Sequence, residues 1–256
     1  MLNGSTNKSF WDWLQGNKNQ LLTTFDQLAS NKLVKNGARV IFECCIEYPE
    51  QRPSMYRRTY GSLTDAISDW LNEYDKGYSS RPSVLLAKPT GTVPDDIISN
   101  ILSARLSDLT ANDLKEVCDA HRLSMSAENL LGGLLEEYLA DRLLTNKWYC
   151  AWGKTITSVD FCSSKYELLQ IKNRSNSENS SSSKVRVGTK ILKWHRVNAA
   201  TGETNWKQLS DLTGCTEISE SDFKSFVIKT VSSNPESLYI EPGNTWSKAS
   251  EQHSCY

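Results

Sequence analysis

TITSVDFCSSKYELLQIKNR, residues 155–174, is the stretch whose reading decides the fold. Two runs rich in apolar and β-branched residues, Thr155–Cys162 and Tyr166–Asn173, flank Ser163–Lys165. That spacing predicts two strands joined as a hairpin. Side chains alternate along a strand, so Gln170 and Lys172 point one way while Leu169 and Ile171 point into a core. Val159 and Phe161 do the same in the first strand and leave Asp160 opposite. The hairpin brings Asp160 and Gln170 together, and their oxygens suit a hard divalent cation such as Mg²⁺. Lys172 beside them can orient an attacking water and stabilise charge developing on a phosphoryl group.

Working outward toward the N-terminus, SAENLLGGLLEEYLADRLL, residues 126–144, reads as a helix capped by Ser126. At 100° per residue, Leu130, Leu131, Leu134, Leu135, Tyr138 and Leu139 form one apolar arc, with Glu136 and Glu137 at its two borders. A carboxylate at such a border can reach into a cleft. Glu136, one turn after Gly132, is the favoured candidate and Glu137 the alternative.

Toward the C-terminus, the polar loop SNSENSSSS is followed by KVRVGTKILKWHR. Between Lys184 and Lys207 six basic residues face one acidic residue, Glu203, a net charge of +5 in a chain whose formal charge is −1. A basic field confined to one segment suits a polyanion engaged by one face. Val185–Trp194 is expected to form an amphipathic helix, with Arg186, Lys190 and Lys193 on one side as a phosphate track. Asn173, Arg174, Asn176, Asn179, Ser180 and Ser181 carry short donors and acceptors suited to phosphates and base edges. Lys184 and Arg196 join the phosphate contacts, and Arg174 and Arg186 are the candidates for reading a guanine.

The first 125 residues read as helical and hold no catalytic constellation. Apolar residues recur at helical spacing over residues 8–30, with a break at Gly16-Asn17, over Gly37–Tyr48 and over Ser62–Tyr74. Pro94 and Thr110 are expected to open two more helices, Thr110 with Asp113 as a capping box. The segment TANDLKEVCDAHRLSMSAENLLGGL has a helix-turn-helix outline. Ser219–Val231 reads as a helix, and the polar tail from Pro235 is expected to be loosely held. The division expected is a helical region, 1–125, and a catalytic core, 126–256.

Hydrophobic residues make up 38% of the 256 positions and charged residues 23%, enough for a core and a polar surface. No run approaches the roughly 18–20 apolar residues of a membrane helix, and MLNGSTNKSFWDW has no signal-peptide pattern. A cytoplasmic location without membrane contact is the expectation. Seven cysteines without C-x-x-C spacing, and three scattered histidines, form no legible zinc site and fit reduced thiols.

The order helix-Glu, strand-Asp, strand-Q-x-K resembles the PD-(D/E)XK nuclease pattern. More closely, AENLLGGLLEEYLA, LLQIKNRSNSENSSSSKVRVGTKILKWHR and GETNW resemble the SinI-like type II restriction endonucleases, over about residues 120–210. The resemblance implies an α/β core with a mixed central sheet flanked by helices, here with a helical N-terminal region added. It further implies Mg²⁺-dependent cleavage of double-stranded DNA at a short palindrome such as G-G-W-C-C. A homodimer and a cognate DNA methyltransferase that protects host DNA also follow from it. Glu136, Asp160, Gln170 and Lys172 fall on the active-site pattern. Position 170 is Gln where the common motif has Asp or Glu, which leaves the number of metal ions open. The rival readings are a repair or Mrr-like nuclease without strict sequence reading, and a DNA-binding protein whose acidic cluster is structural.

Overall fold

A computed structural model describes residues 7–30, 35–48, 51, 58–89, 95–175 and 190–247. The chain divides into two compact units, Met1–Arg81 with Leu135–Phe226, and Pro82–Leu134 with Val227–Tyr256. Residue 125 falls inside a single long helix, α6, Ala111–Arg142, which follows α5, Asp96–Arg105.

The first unit opens with β1, Lys8–Ser9, paired with β2, Thr59–Tyr60. Ser9 and Asp12 form a capping box that starts α1, Phe10–Leu14. Asn17 accepts the free amides of Asn19 and Gln20 and starts α2, Lys18–Ala29, so the break expected at Gly16-Asn17 is present. Next come α3, Lys35–Glu47, and α4, Leu63–Ser79, capped by Ser62. These helices bury an aromatic cluster. Phe25 stacks on Phe42 at 4.9 Å, and Trp70 meets both edge-on at 6.0 and 5.2 Å.

The expected mixed sheet flanked by helices is present. Its order is β3 (Trp148–Cys150), β4 (Phe161–Ser163), β5 (Leu168–Arg174) and β6 (Ile191–Val197). The first two pairings are antiparallel and the last is parallel. α3 packs on β3 and β4. Trp194 of β6 packs against Trp206 at 5.3 Å and so joins α7, Trp206–Thr213, to the sheet. Tyr138 of α6 and Phe223 of α8, Glu220–Ser233, complete that second cluster, 5.2 Å apart.

Four local expectations are corrected. The first concerns Ser126, which does not begin a helix. α6 runs unbroken from Thr110, which with Asp113 makes the expected capping box (amide to Oδ2 2.8 Å, amide to Oγ1 3.3 Å), so there is no helix-turn-helix. No proline or second cap interrupts the pattern, and a serine is tolerated inside a helix whose neighbours propagate it. Residues 155–160 are turns rather than strand, and β4 starts only at Phe161. Gly153 and Ser158 sit at φ 75° and 62°, which a pleated strand cannot contain. Ile191–Val197 is a strand where a helix over Val185–Trp194 was expected; 185–189 lie outside the described residues. Its β-branched and aromatic content pairs along β5, and tertiary pairing overrides a short helical period. Finally, the tail as far as Ser247 is held in the second unit. Buried Asp119 accepts hydrogen bonds from the Thr245 amide and hydroxyl, each 2.9 Å, and Arg122 bridges Glu241 at 2.9 Å.

The loop from β3 to Asp160 is fastened to the helical layer. Trp70 Nε1 donates to the Thr155 carbonyl at 3.1 Å, and the Cys45 thiol reaches the same oxygen at 3.2 Å. Gly77 of α4 lies against Gly153, where a Cβ on Gly77 would meet the Gly153 backbone nitrogen at 2.0 Å. Backbone on both sides leaves nothing flexible to give. Gly77→Ala is therefore expected to destabilise the protein by about 1–3 kcal/mol through overpacking, seen as a lowered thermal midpoint. An unchanged midpoint would mean that α4 and this loop do not pack so closely.

All six described cysteines are free thiols. Among the described residues no helix is long and apolar enough to cross a membrane.

Candidate active site

Asp160 is pinned where β3, β4 and β5 meet. Its amide donates to the Leu169 carbonyl at 2.9 Å, its carbonyl accepts from Ala151 at 2.8 Å, and its Oδ2 accepts from the Ile171 amide at 2.7 Å. Continuing the Phe161↔Leu169 register by one step sets Asp160 opposite Gln170. The hairpin turn is as expected, with Ser163 Oγ accepting from the amides of Lys165 and Glu167, each at 3.1 Å.

Gln170 is 6% exposed, and its Oε1 is fully buried without a hydrogen-bond partner. A buried amide oxygen left unpaired costs roughly 1–3 kcal/mol, so it is a position that favours an electropositive occupant. Lys172, two residues on, shares its face and is half-buried.

The choice between the two glutamates of α6 follows from their surroundings. Glu137 turns to Arg81, Oε1 to Nε 3.2 Å. Glu136 lies within electrostatic reach of both Asp160 and Lys172. Burial, and then the charge of Asp160, push its pKa up to about 7, while Lys172 opposes the shift. An added Cβ at Gly132 would meet nothing within 4 Å, so packing does not demand that glycine. Glu136, Asp160, Gln170 and Lys172 thus come from α6, the residue just before β4, and β5, all in the first unit.

Among the described residues no group of three or more His, Cys, Asp or Glu could hold a metal ion. The donor set available here is two carboxylates and one amide oxygen. All are hard oxygen ligands, which fits Mg²⁺ and not a thiolate-seeking metal.

The expected DNA contacts divide. Arg174 is exposed at the end of β5 on the Lys172 face, and Lys193 is exposed on β6. Lys190 Nζ sits 5.9 Å from the Tyr48 ring centre. Asn173 and Arg196 point to the opposite face and are given to the fold. Arg196 donates to Asn173 Oδ1 at 2.9 Å and pairs with Glu220 at 2.6 Å. Asn176, Asn179, Ser180, Ser181, Lys184 and Arg186 lie outside the described residues. One residue on the Lys172 face was missed, His195, paired across from Lys172. The alternation Lys193, Trp194, His195 carried that signal once the run is read with period two.

Raising the Glu136 pKa from 4.5 to about 7 has a measurable consequence. Between those values the folded protein holds a proton that the unfolded chain releases. Stability of the metal-free protein therefore falls as pH rises from 4.5 to about 7, then levels. In chelator, Glu136→Gln is expected to flatten that fall, and Ca²⁺ to raise the wild-type thermal midpoint more at pH 8 than at pH 5.5. Parallel pH profiles for wild type and variant would contradict the buried position of Glu136.

Residues 68–233 match the model of a protein family described as SinI restriction endonuclease. The chain belongs to the SinI restriction endonuclease family. It is 40% identical over 156 residues to the type II restriction enzyme Eco47I of Escherichia coli, covering 58% of this chain and 67% of that one. It is 40% identical over 144 residues to the type II restriction enzyme SinI of Salmonella infantis, covering 54% of this chain and 62% of that one. The matched span of the SinI family model includes Glu136, Asp160, Gln170 and Lys172.

Proposed function

We propose that the chain is a type II restriction endonuclease that hydrolyses both strands of DNA at a short palindrome with Mg²⁺ and acts as a homodimer. The observation that carries this reading is the buried, unpartnered Gln170 Oε1 beside Asp160, with Glu136 and Lys172 in electrostatic contact. Family membership supports the reaction class, and the oxygen-only donor set supports the metal. A two-fold dimer suits a palindrome because protein symmetry mirrors DNA symmetry. A recognition sequence of the G-G-W-C-C kind and a partner methyltransferase that protects host DNA are proposed on the resemblance of the sequence to SinI-like enzymes alone.

In this reading Glu136, Asp160 and the Gln170 amide oxygen hold Mg²⁺. The ion would polarise the phosphoryl group and favour hydroxide over water at neutral pH. Lys172 Nζ orients the attacking water and donates to the phosphoryl oxygen as negative charge builds there. Asp160 is held for this work by the Ile171 amide, which keeps one carboxylate oxygen fixed. Arg174 and Lys190 bind backbone phosphates beside the cut.

Digestion of plasmid DNA with Mg²⁺ tests this. Discrete bands that vanish with chelator are the expected result. A smear would support a nuclease that does not read sequence, and binding without any cutting would leave a DNA-binding protein.

A further inference from the structure

The parallel register of β5 and β6 sets Lys193 beside Gln170 and His195 beside Lys172. Paired residues of neighbouring strands point to one face. These four residues, with Arg174, Ser175 and Trp194, line a hollow of about 30 Å³. That volume admits one water-sized group, the size of a single phosphoryl oxygen.

The carboxylate of this face, Asp160, lies on the β4 side, opposite Gln170, and the β6 side is different. Along β5 the face carries Leu168, Gln170, Lys172 and Arg174, and along β6 Ile191, Lys193, His195 and Val197, with no carboxylate among them. Gln170, in the position where a related nuclease would carry an acid, removes one negative charge from the same face. Neither Lys193 nor His195 has a side-chain hydrogen bond or ion pair among the described residues. Arg196, one residue on but facing away, is fully engaged with Glu220 and Asn173. Lys193 and His195 thus add a charge and an N–H donor on the β6 side of Lys172, away from the Asp160 side of β5, and a phosphate oxygen is drawn to such groups. Imidazole keeps at least one N–H donor whether neutral or charged.

We infer that Lys193 and His195 seat the phosphodiester that is cut, donating to its non-bridging oxygens from the strand next to Gln170 and Lys172. The inference rests on the nuclease reading above; it adds His195 and moves Lys193 from a general phosphate track to the phosphate that is cut. Lys193 supplies a full charge at the level of Gln170, and His195 a directed donor at the level of Lys172. Together they hold the phosphate against the candidate metal ligands, and they make up for a site one carboxylate short of the common pattern.

The test uses a cognate duplex whose cut position has been read from fragment ends, made with either an ordinary phosphate or a neutral methylphosphonate at that position. Binding is measured by fluorescence anisotropy in Ca²⁺. Wild type is expected to bind the methylphosphonate duplex about 10- to 100-fold more weakly, the range for a lost charged hydrogen bond. The double variant Lys193→Gln with His195→Gln is expected to bind both duplexes within about two-fold of each other. With Mg²⁺ and saturating enzyme, its single-turnover cleavage of ordinary DNA should fall about 10²-fold, the scale of one lost donor to a transition-state oxygen. Lys193→Arg should keep most of the rate. Lys193 is exposed, so Lys193→Gln alone gives the same comparison if the double variant folds poorly. A double variant that keeps the wild-type methylphosphonate penalty, or a wild type that shows none, overturns the inference. A wild type that cuts no DNA overturns the nuclease reading itself.

Discussion

Lys172→Ala is expected to lower the rate of DNA cleavage by about 10²- to 10⁴-fold while leaving cognate DNA affinity in Ca²⁺ within a few-fold of wild type. Lys172 is half-buried, shares a face with Gln170 and stands in the field of Glu136. It makes no hydrogen bond to the protein that its loss would break among the described residues. Its removal therefore acts on the chemistry and not on the fold. Cleavage by Lys172→Ala at the wild-type rate would sink the motif, whatever the binding data. Equal losses of affinity and rate would make Lys172 a phosphate contact only.

A similar collapse of activity is expected for Asp160, at least about 10³-fold, together with loss of Ca²⁺-stimulated DNA binding. Here the structure complicates the choice of variant. Asp160 Oδ2 accepts the Ile171 amide, so Asp160→Ala leaves a buried donor unpaired and costs roughly 1–3 kcal/mol of stability. Asp160→Asn keeps an oxygen for that amide and removes only the charge. Its thermal midpoint should stay close to wild type while cleavage and Ca²⁺ dependence disappear. If Asp160→Asn cuts normally, the metal lies elsewhere. Glu167, which accepts a hydrogen bond from Ser163 at 2.9 Å, becomes the next carboxylate to replace.

Much of the geometry of the candidate site could be read before the fold was known because strand alternation and helical period are strictly local. Gln170 and Lys172 had to share a face, and Asp160 had to follow once Ser163–Lys165 turned the chain. The helix borders narrowed the acid to two glutamates, and the room beside Gly132 favoured Glu136, but the physical basis for that choice lay elsewhere. That choice depends on Arg81, more than fifty residues upstream, which engages Glu137. The capping box of Thr110 and Asp113 was legible for the same local reason, since its residues are three apart.

What was misread depends on partners distant in sequence. Ile191–Val197 has both a helical and a strand period, and only β5 beside it decides for the strand. Residues 155–160 look like a strand by composition, yet Thr155, Ile156 and Val159 are buried in a turn whose carbonyl is held by Trp70 and Cys45. Asn173 and Arg196 looked like DNA contacts because they are polar and lie in a basic region. Their pairing across the far face of the sheet required the β5–β6 register. The tail to Ser247 looked loose because its anchor, Asp119, lies more than a hundred residues earlier.

Glu136, Asp160, Gln170 and Lys172 are proposed to form a site that cuts both DNA strands at one sequence. The most direct measurement is digestion of a DNA of known sequence with Mg²⁺, by wild type and by Lys172→Ala, followed by sequencing of every fragment end. All wild-type ends are expected to share one short palindrome, cut at symmetric positions on the two strands, and the variant to yield almost no ends. Ends scattered over unrelated sequences, or the same ends from the variant in equal amount, would contradict that proposal.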